Sequence, residues 1–269
     1  MRRFLIGMVC ALGAWNTAAW GAEAQNWELS GTRVTIEDIP EGGQHLTVRR
    51  DGAADLSLTA QKLTPRDPVG ENITGGATPM MVITGWSGDA QCCHTVHIID
   101  LGAQPRVVQS IDVGRSDAAL FNQFDDDPAL EIGLPDWHYV DWPFGDFATS
   151  PVPRVIMDWD GQQYVPSSKL MRAGIMLYQL QERRQPHSEQ EIIGAVFQDT
   201  LDMIYAGRMK AARTLLKQLL PPTPENKELE KEFFECKLPS SPWWPFIAGL
   251  NSMAAKPPAS GCAAPPKAG

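Results

Sequence analysis

From Thr32 to Val165 the chain alternates short β-type runs with tight turn signals, and apolar residues do not recur there at helical spacing. That pattern constrains the fold most. Strands separated by two- to five-residue turns pair with their chain neighbours, which produces antiparallel sheet. Thr32–Ile36 alternates, Glu41-Gly42-Gly43 breaks the run, His45–Arg49 alternates again, and Asp51-Gly52 turns the chain into Leu56–Thr59. Met80-Met81-Val82-Ile83 is continuously apolar, as expected of a strand covered on both faces. Thr95–Leu101, Arg106–Ile111, Leu130–Leu134, Arg154–Trp159 and Gln163–Val165 continue the series, the last two joined by Asp160-Gly161. The expected fold class is mainly β: a propeller-like or open antiparallel β unit over residues 25–166, followed by a small α-helical C-terminal cap.

After about residue 167 the period changes. Ser188-Glu189-Gln190-Glu191 has the form of a capping box, with Ile192, Val196, Leu201, Met203 and Ile204 at helical spacing behind it and Gly207 suited to end the helix. Ala211, Ala212, Leu215, Leu216 and Leu219 mark a second helix, stopped by Pro221-Pro222, and Glu225–Cys236 a third. Residues 167–255 therefore read as a helical cap. Residues 256–269, rich in Ala, Pro and Gly, read as a disordered tail.

The first 24 residues read as a cleavable signal peptide: Arg2 and Arg3, an apolar stretch from Phe4 to Ala14 too short to span a bilayer, then Ala22-Glu23-Ala24. The expected localisation is periplasmic or secreted, with no membrane span. Without that segment, 21 Lys and Arg face 31 Asp and Glu, a net charge of −10 that repels phosphate backbones, so no nucleic-acid partner is expected. Cys92, Cys93, Cys236 and Cys262 then remain, an even number that suggests disulfides in an oxidising compartment. Three pairings are open: Cys92 and Cys93 form a vicinal ring or reach distant partners, and closeness in sequence favours Cys236 with Cys262.

Two segments look like copies of one unit. Asn72–Ile83 aligns with Gln123–Leu134 at an offset of 51 residues, each a polar loop feeding an apolar strand. Over residues 70–166 this resembles the FG-GAP or VCBS-type repeat of integrin-alpha-like β-propellers, whose loop reads roughly D-x-D-x-D-G-x-x-D/E. Gly85–His94 is similar to a Gly-Gly-x-His-Cys-Cys segment of exported bacterial proteins of this type. The resemblance implies a fold and no activity. It also implies Ca²⁺ on the loop acids, an ion that takes six to eight oxygens. In the second copy Asp125, Asp127 and Glu131 match the acidic positions, whereas Gln123 is a neutral amide and Pro128 stands where the repeat has Gly. The first copy carries Asn72, Thr74, Gly76 and Met80 there, so calcium is expected, if anywhere, at the second loop, and otherwise those acids are solvated turn residues.

Two further stretches attract a chemical reading. In Cys92-Cys93-His94-Thr95-Val96-His97, thiolates and imidazoles suit copper or zinc, yet strand alternation sets Cys92 and His94 on one face and Cys93 and His97 on the other. A structural disulfide or buried thiols is the simpler account. In residues 136–147, Trp137, His138, Tyr139, Asp141 and Trp142 could form a sugar-binding platform, with Asp136, Asp141 and Asp146 as candidate glycosidase acids, or fill a gap between layers. There is no G-x-S-x-G, no phosphate loop and no dinucleotide fingerprint, and no catalytic residue is assigned. The expectation is a non-enzymatic binding or interaction module of the periplasm, with a protein or glycan partner in the cell envelope and no cofactor. A metal-handling or thiol protein using Cys92-Cys93-His94 and an envelope-polymer hydrolase using the 136–147 loop are the alternatives.

Overall fold

The computed structural model describes residues 24–90, 92–143, 147–174 and 188–262. The expected signal peptide up to residue 23, Asp146 and the last seven residues of the expected tail lie outside them. Among the described residues, twelve strands form three four-stranded antiparallel sheets, each a simple meander in chain order. The first sheet holds β1 (Gln25–Leu29), β2 (Thr32–Asp38), β3 (Gln44–Arg50) and β4 (Leu56–Ala60). The second holds β5 (Lys62–Pro65), β6 (Met80–Trp86), β7 (His94–Asp100) and β8 (Arg106–Gly114). The third holds β9 (Leu120–Asn122), β10 (Glu131–Pro135), β11 (Arg154–Trp159) and β12 (Tyr164–Pro166).

The second sheet is the middle layer, and its alternation explains its composition. Met81, Ile83, Ile99 and Leu101 face the first sheet and share a core with Val34, Ile36, Leu46 and Val48. Met80, Val82, Val96 and Ile98 face the other way, into a core with Ile132, Leu134, Val155 and Tyr164 of the third sheet. Both sides of β6 are therefore dry, which is why Met80–Ile83 reads as an unbroken apolar run. The first sheet ends the stack: in β2 and β3, Arg33, Glu37 and Arg49 are exposed while Val34, Ile36 and Val48 beside them are buried. An outer face this polar offers nothing for a further layer, and no closed barrel or propeller forms among the described residues.

Helices cover the third sheet's side. They are α1 (Ser168–Ala173), α2 (Glu189–Tyr205), α3 (Met209–Leu219), α4 (Pro224–Glu232), α5 (Leu238–Ser240) and α6 (Trp244–Leu250). Both hydrogen bonds of the Ser188–Glu191 capping box are made at the start of α2. Gly207 turns the chain between α2 and α3 at φ +73°, where a Cβ would stand 2.9 Å from the Leu250 carbonyl oxygen. The third expected helix is not continuous: α4 passes into one π-helical turn, Phe233–Lys237, before α5. A π turn inserts an extra residue and rotates the face that follows; here Phe233 is buried with Trp142 and Phe197.

One apolar core runs from the second sheet through the third into the helices, so residue 167 marks a change of secondary structure within a continuous interior. Residues 256–262, expected to be disordered, are held to the body. Lys256 O accepts from Trp244 Nε1, Ala259 N donates to Glu235 O, and Cys262 pairs with Cys236. The ties are a crosslink, one side-chain-to-backbone hydrogen bond and one backbone hydrogen bond.

Candidate functional site

The two repeated segments occupy equivalent places. Met80–Ile83 lies in β6 and Glu131–Leu134 in β10, each the second strand of its sheet. Their loops meet. Thr74 forms a bridge with Ala129, and Ile73 O accepts from both Leu130 N (2.8 Å) and the Tyr164 hydroxyl (3.0 Å). Gly75 sits against Pro128, so close that a Cβ would lie 3.0 Å from the Pro128 carbonyl carbon. The seam between the second and third sheets is thus built from these two loops.

At the second loop the three acids named from sequence converge. Asp125, Asp127 and Glu131 each bring an oxygen within 4.8 Å of the others, a grouping that could hold a metal ion. Glu131 is fully buried at the head of β10; one carboxylate oxygen accepts from Phe124 N, and Oε1 has no hydrogen-bond partner among the described residues. Desolvation pushes its pKa up, the Phe124 amide opposes this, and the negative charges of Asp125, Asp127 and Asp158 add to the rise. Burial, and then the charges of Glu131, Asp158 and Asp127, raise the Tyr164 phenol. Asp125 is held below the usual carboxylate range, first by the Lys169 ammonium at 2.7 Å and then by the Asp127 amide.

The acid cluster could hold a metal ion, and for Ca²⁺ it is weak as it stands. Three carboxylates fall short of the six to eight oxygens the ion takes. Asp125 Oδ1 already accepts from Asp127 N (3.0 Å), and Asp127 Oδ1 from Ala129 N (2.8 Å). Gln123 turns its amide nitrogen, not an oxygen, toward the Asp125 and Asp127 carbonyls.

The aromatic stretch divides between interior and surface. Its first residue, Asp136, is 3% exposed at the end of β10. It accepts from the Tyr205 hydroxyl of α2, from Ser241 Oγ (2.8 Å) and from His138 N (2.9 Å). Burial, and then the charge of Asp136, raise the phenols of Tyr139 and Tyr205 well above their ordinary value. Tyr139 is fully buried, and Trp142 packs on Phe197 and Phe233 with ring centroids 4.6 and 5.6 Å away while its Nε1 donates to Glu232 (3.0 Å). His138 Nε2 lies 3.0 Å from Lys237 O and 2.9 Å from Ser240 Oγ. Burial lowers the His138 pKa, against the pull of Asp136. Asp136, Tyr139 and Trp142 are buried, and with the half-buried His138 they tie the third sheet to the helices.

Trp137 and Asp141 lie at the edge of that joint. Trp137 donates from Nε1 to Val113 O (2.6 Å) and stacks on Phe147, whose side is 52% exposed, at a centroid distance of 5.8 Å. Asp141 pairs with Arg115 at 3.2 Å, one residue beyond the Gly114 on which Trp137 rests. Arg115 is the member that sequence reasoning missed; no spacing rule connects a residue after β8 to this stretch.

The cysteine segment is a hairpin loop between β6 and β7. Cys92 and Cys93 are at disulfide distance from each other, as are Cys236 and Cys262 (Cα–Cα 5.5 Å). The Ser87 hydroxyl accepts from Cys93 N and donates to Cys92 O, fixing the loop. His94 stacks beside Trp86 with its Nδ1 buried and without a partner among the described residues, whereas His97 reaches Ser110 Oγ at 2.9 Å and is lowered in pKa by burial. The structure does not bring His94 and His97 to one site: they are three residues apart on one strand, with different partners.

No helix among the described residues is long and apolar enough to cross a membrane. Comparison with family models, with curated proteins and with solved structures finds no match.

Proposed function

We propose that the chain is a non-enzymatic binding module that works outside the cytoplasm and recognises a glycan of the cell envelope through the Trp137–Phe147 edge. The observation that carries this is one patch. An exposed aromatic ring, Phe147, is stacked on Trp137 beside the Asp141–Arg115 ion pair, which sets a flat apolar face next to groups that hydrogen-bond hydroxyls. The neighbouring polar interior supports the same reading, because Asp136, Tyr139, Tyr205 and Ser241 spend their hydrogen bonds on one another. Export rests on the basic-then-apolar N-terminal segment, and the propeller-type repeat on the paired loops at 72 and 123. The module acts without a cofactor; the acid cluster is where the resemblance would put calcium.

The test is retention on insoluble envelope polymer and titration with soluble fragments, for the wild type and for Phe147→Ala and Asp141→Ala. Loss of one stacking face predicts roughly a tenfold weaker interaction for Phe147→Ala. Binding untouched by both substitutions refutes the patch. Time-dependent release of reducing sugar, abolished by Asp141→Ala, would replace binding with hydrolysis. A thiol or metal role for Cys92-Cys93-His94 is favoured by one observation, the unpartnered His94 Nδ1. Thiol counting with metal analysis decides it: two free thiols with bound copper or zinc would establish that role.

A further inference from the structure

We propose that Lys169 is the resident cation of the Asp125, Asp127 and Glu131 cluster, its ammonium occupying the place on Asp125 that a metal ion would otherwise take. Lys169 belongs to the first turn of α1. Ser167 caps that helix by accepting from Leu170 N, and its hydroxyl also reaches Asp158 (3.3 Å), which aims the turn at the acidic loop. Nζ then meets Asp125 Oδ2 at 2.7 Å. With the ammonium in place the Asp125 side chain is 15% exposed.

The side chains at the first loop position complete the substitution. Gln123 Nε2 donates to the carbonyl oxygens of Asp125 and Asp127, which closes the loop backbone. In the sister loop Asn72 does the same work without any acid. Its Oδ1 accepts from Thr74 N and Thr74 Oγ1 (both 2.8 Å) and Gly76 N (3.0 Å), while Nδ2 donates to Thr78 O (2.6 Å). One loop is closed by an amide alone, the other by an amide and an ammonium. The place remains recognisable as a cation position because Glu131, fully buried, keeps Oε1 unpartnered among the converging acids.

The experiment is thermal unfolding of the full chain, disulfides intact, in chelator and in about 1 mM calcium, the range of extracellular calcium modules. Wild type and Lys169→Arg, which keeps the charge, should show the same midpoint in both solutions. Gln123→Asp/Lys169→Met, which restores an acid and removes the ammonium, should gain about 3–5 °C from calcium for a dissociation constant of roughly 0.1 mM. Lys169 is a surface residue, so the variant tests occupancy, not folding. Calcium stabilisation of the wild type overturns the proposal, since the place would then be open to the ion. A double variant that stays indifferent to calcium overturns it too, since the acids would then form no cation position.

Discussion

Replacing Asp136 with Ala should cost far more than a carboxylate usually does. The side chain accepts three hydrogen bonds, from Tyr205, Ser241 and the His138 amide, and the last caps the short 3₁₀ turn Trp137–Tyr139. Leaving a buried hydroxyl without its acceptor costs about 1 kcal/mol or more. Two such hydroxyls and a lost cap of about 1 kcal/mol sum to about 3 kcal/mol. Tyr205 keeps a weak alternative, the Tyr139 hydroxyl at 3.4 Å, which limits the loss at that position. For a chain of this size about 3 kcal/mol lowers the thermal midpoint by roughly 6–12 °C. Equilibrium urea unfolding followed by tryptophan fluorescence measures it, repeated for Tyr205→Phe and for the double variant. A shared hydrogen bond predicts a coupling energy of about 1 kcal/mol between the two positions. A loss below about 1 kcal/mol for Asp136→Ala, or strict additivity with Tyr205→Phe, would show that the carboxylate is not the clasp between sheet and helices.

Other perturbations probe the same body. Phe233→Ala removes the ring that Trp142, Phe197 and Phe234 share and should cost about 3–5 kcal/mol by urea unfolding, without changing the midpoint's response to calcium. His138 has its pKa lowered by burial, so the unfolded chain binds the proton more tightly. Its contribution is intact above the ordinary value of 6.5 and is lost as pH falls below it toward the folded-state value, and His138→Gln should flatten the fall in thermal midpoint over that window. Opening the Cys236–Cys262 bond, which closes a loop of sequence separation 26, should cost about 3 kcal/mol. In the Cys236→Ser/Cys262→Ser variant proteolysis should begin within residues 256–262, and an unchanged cleavage pattern would show that the crosslink does not hold them.

Much of the architecture was legible because it is local. The two-faced burial of β6 follows from four consecutive apolar residues, and the start of α2 from Ser188 and Glu191 three positions apart. The short strands β5 and β9 and the helix α1 left no comparable signal, because three to six residues carry too little periodicity to stand out. The site was legible only in part. The three acids at 125, 127 and 131 lie within one loop, so their convergence could be anticipated. Lys169 arrives from 44 residues away and Arg115 pairs with Asp141 across 26, and no spacing rule reaches that far. The aromatic stretch was ambiguous for the same reason: Asp136 meets Ser241 across 105 residues and Trp142 meets Glu232 across 90, and only those contacts turn an apparent platform into a joint.

Hydrogen exchange resolved to peptides tests that joint most directly. If residues 131–142 lock the sheets to the helices, their amides should exchange as slowly as those of α2 and α6, and all three should speed up together in Asp136→Ala. Rapid exchange of residues 136–142 in the wild type, with α2 and α6 still protected, would place the stretch on an open surface and contradict the account.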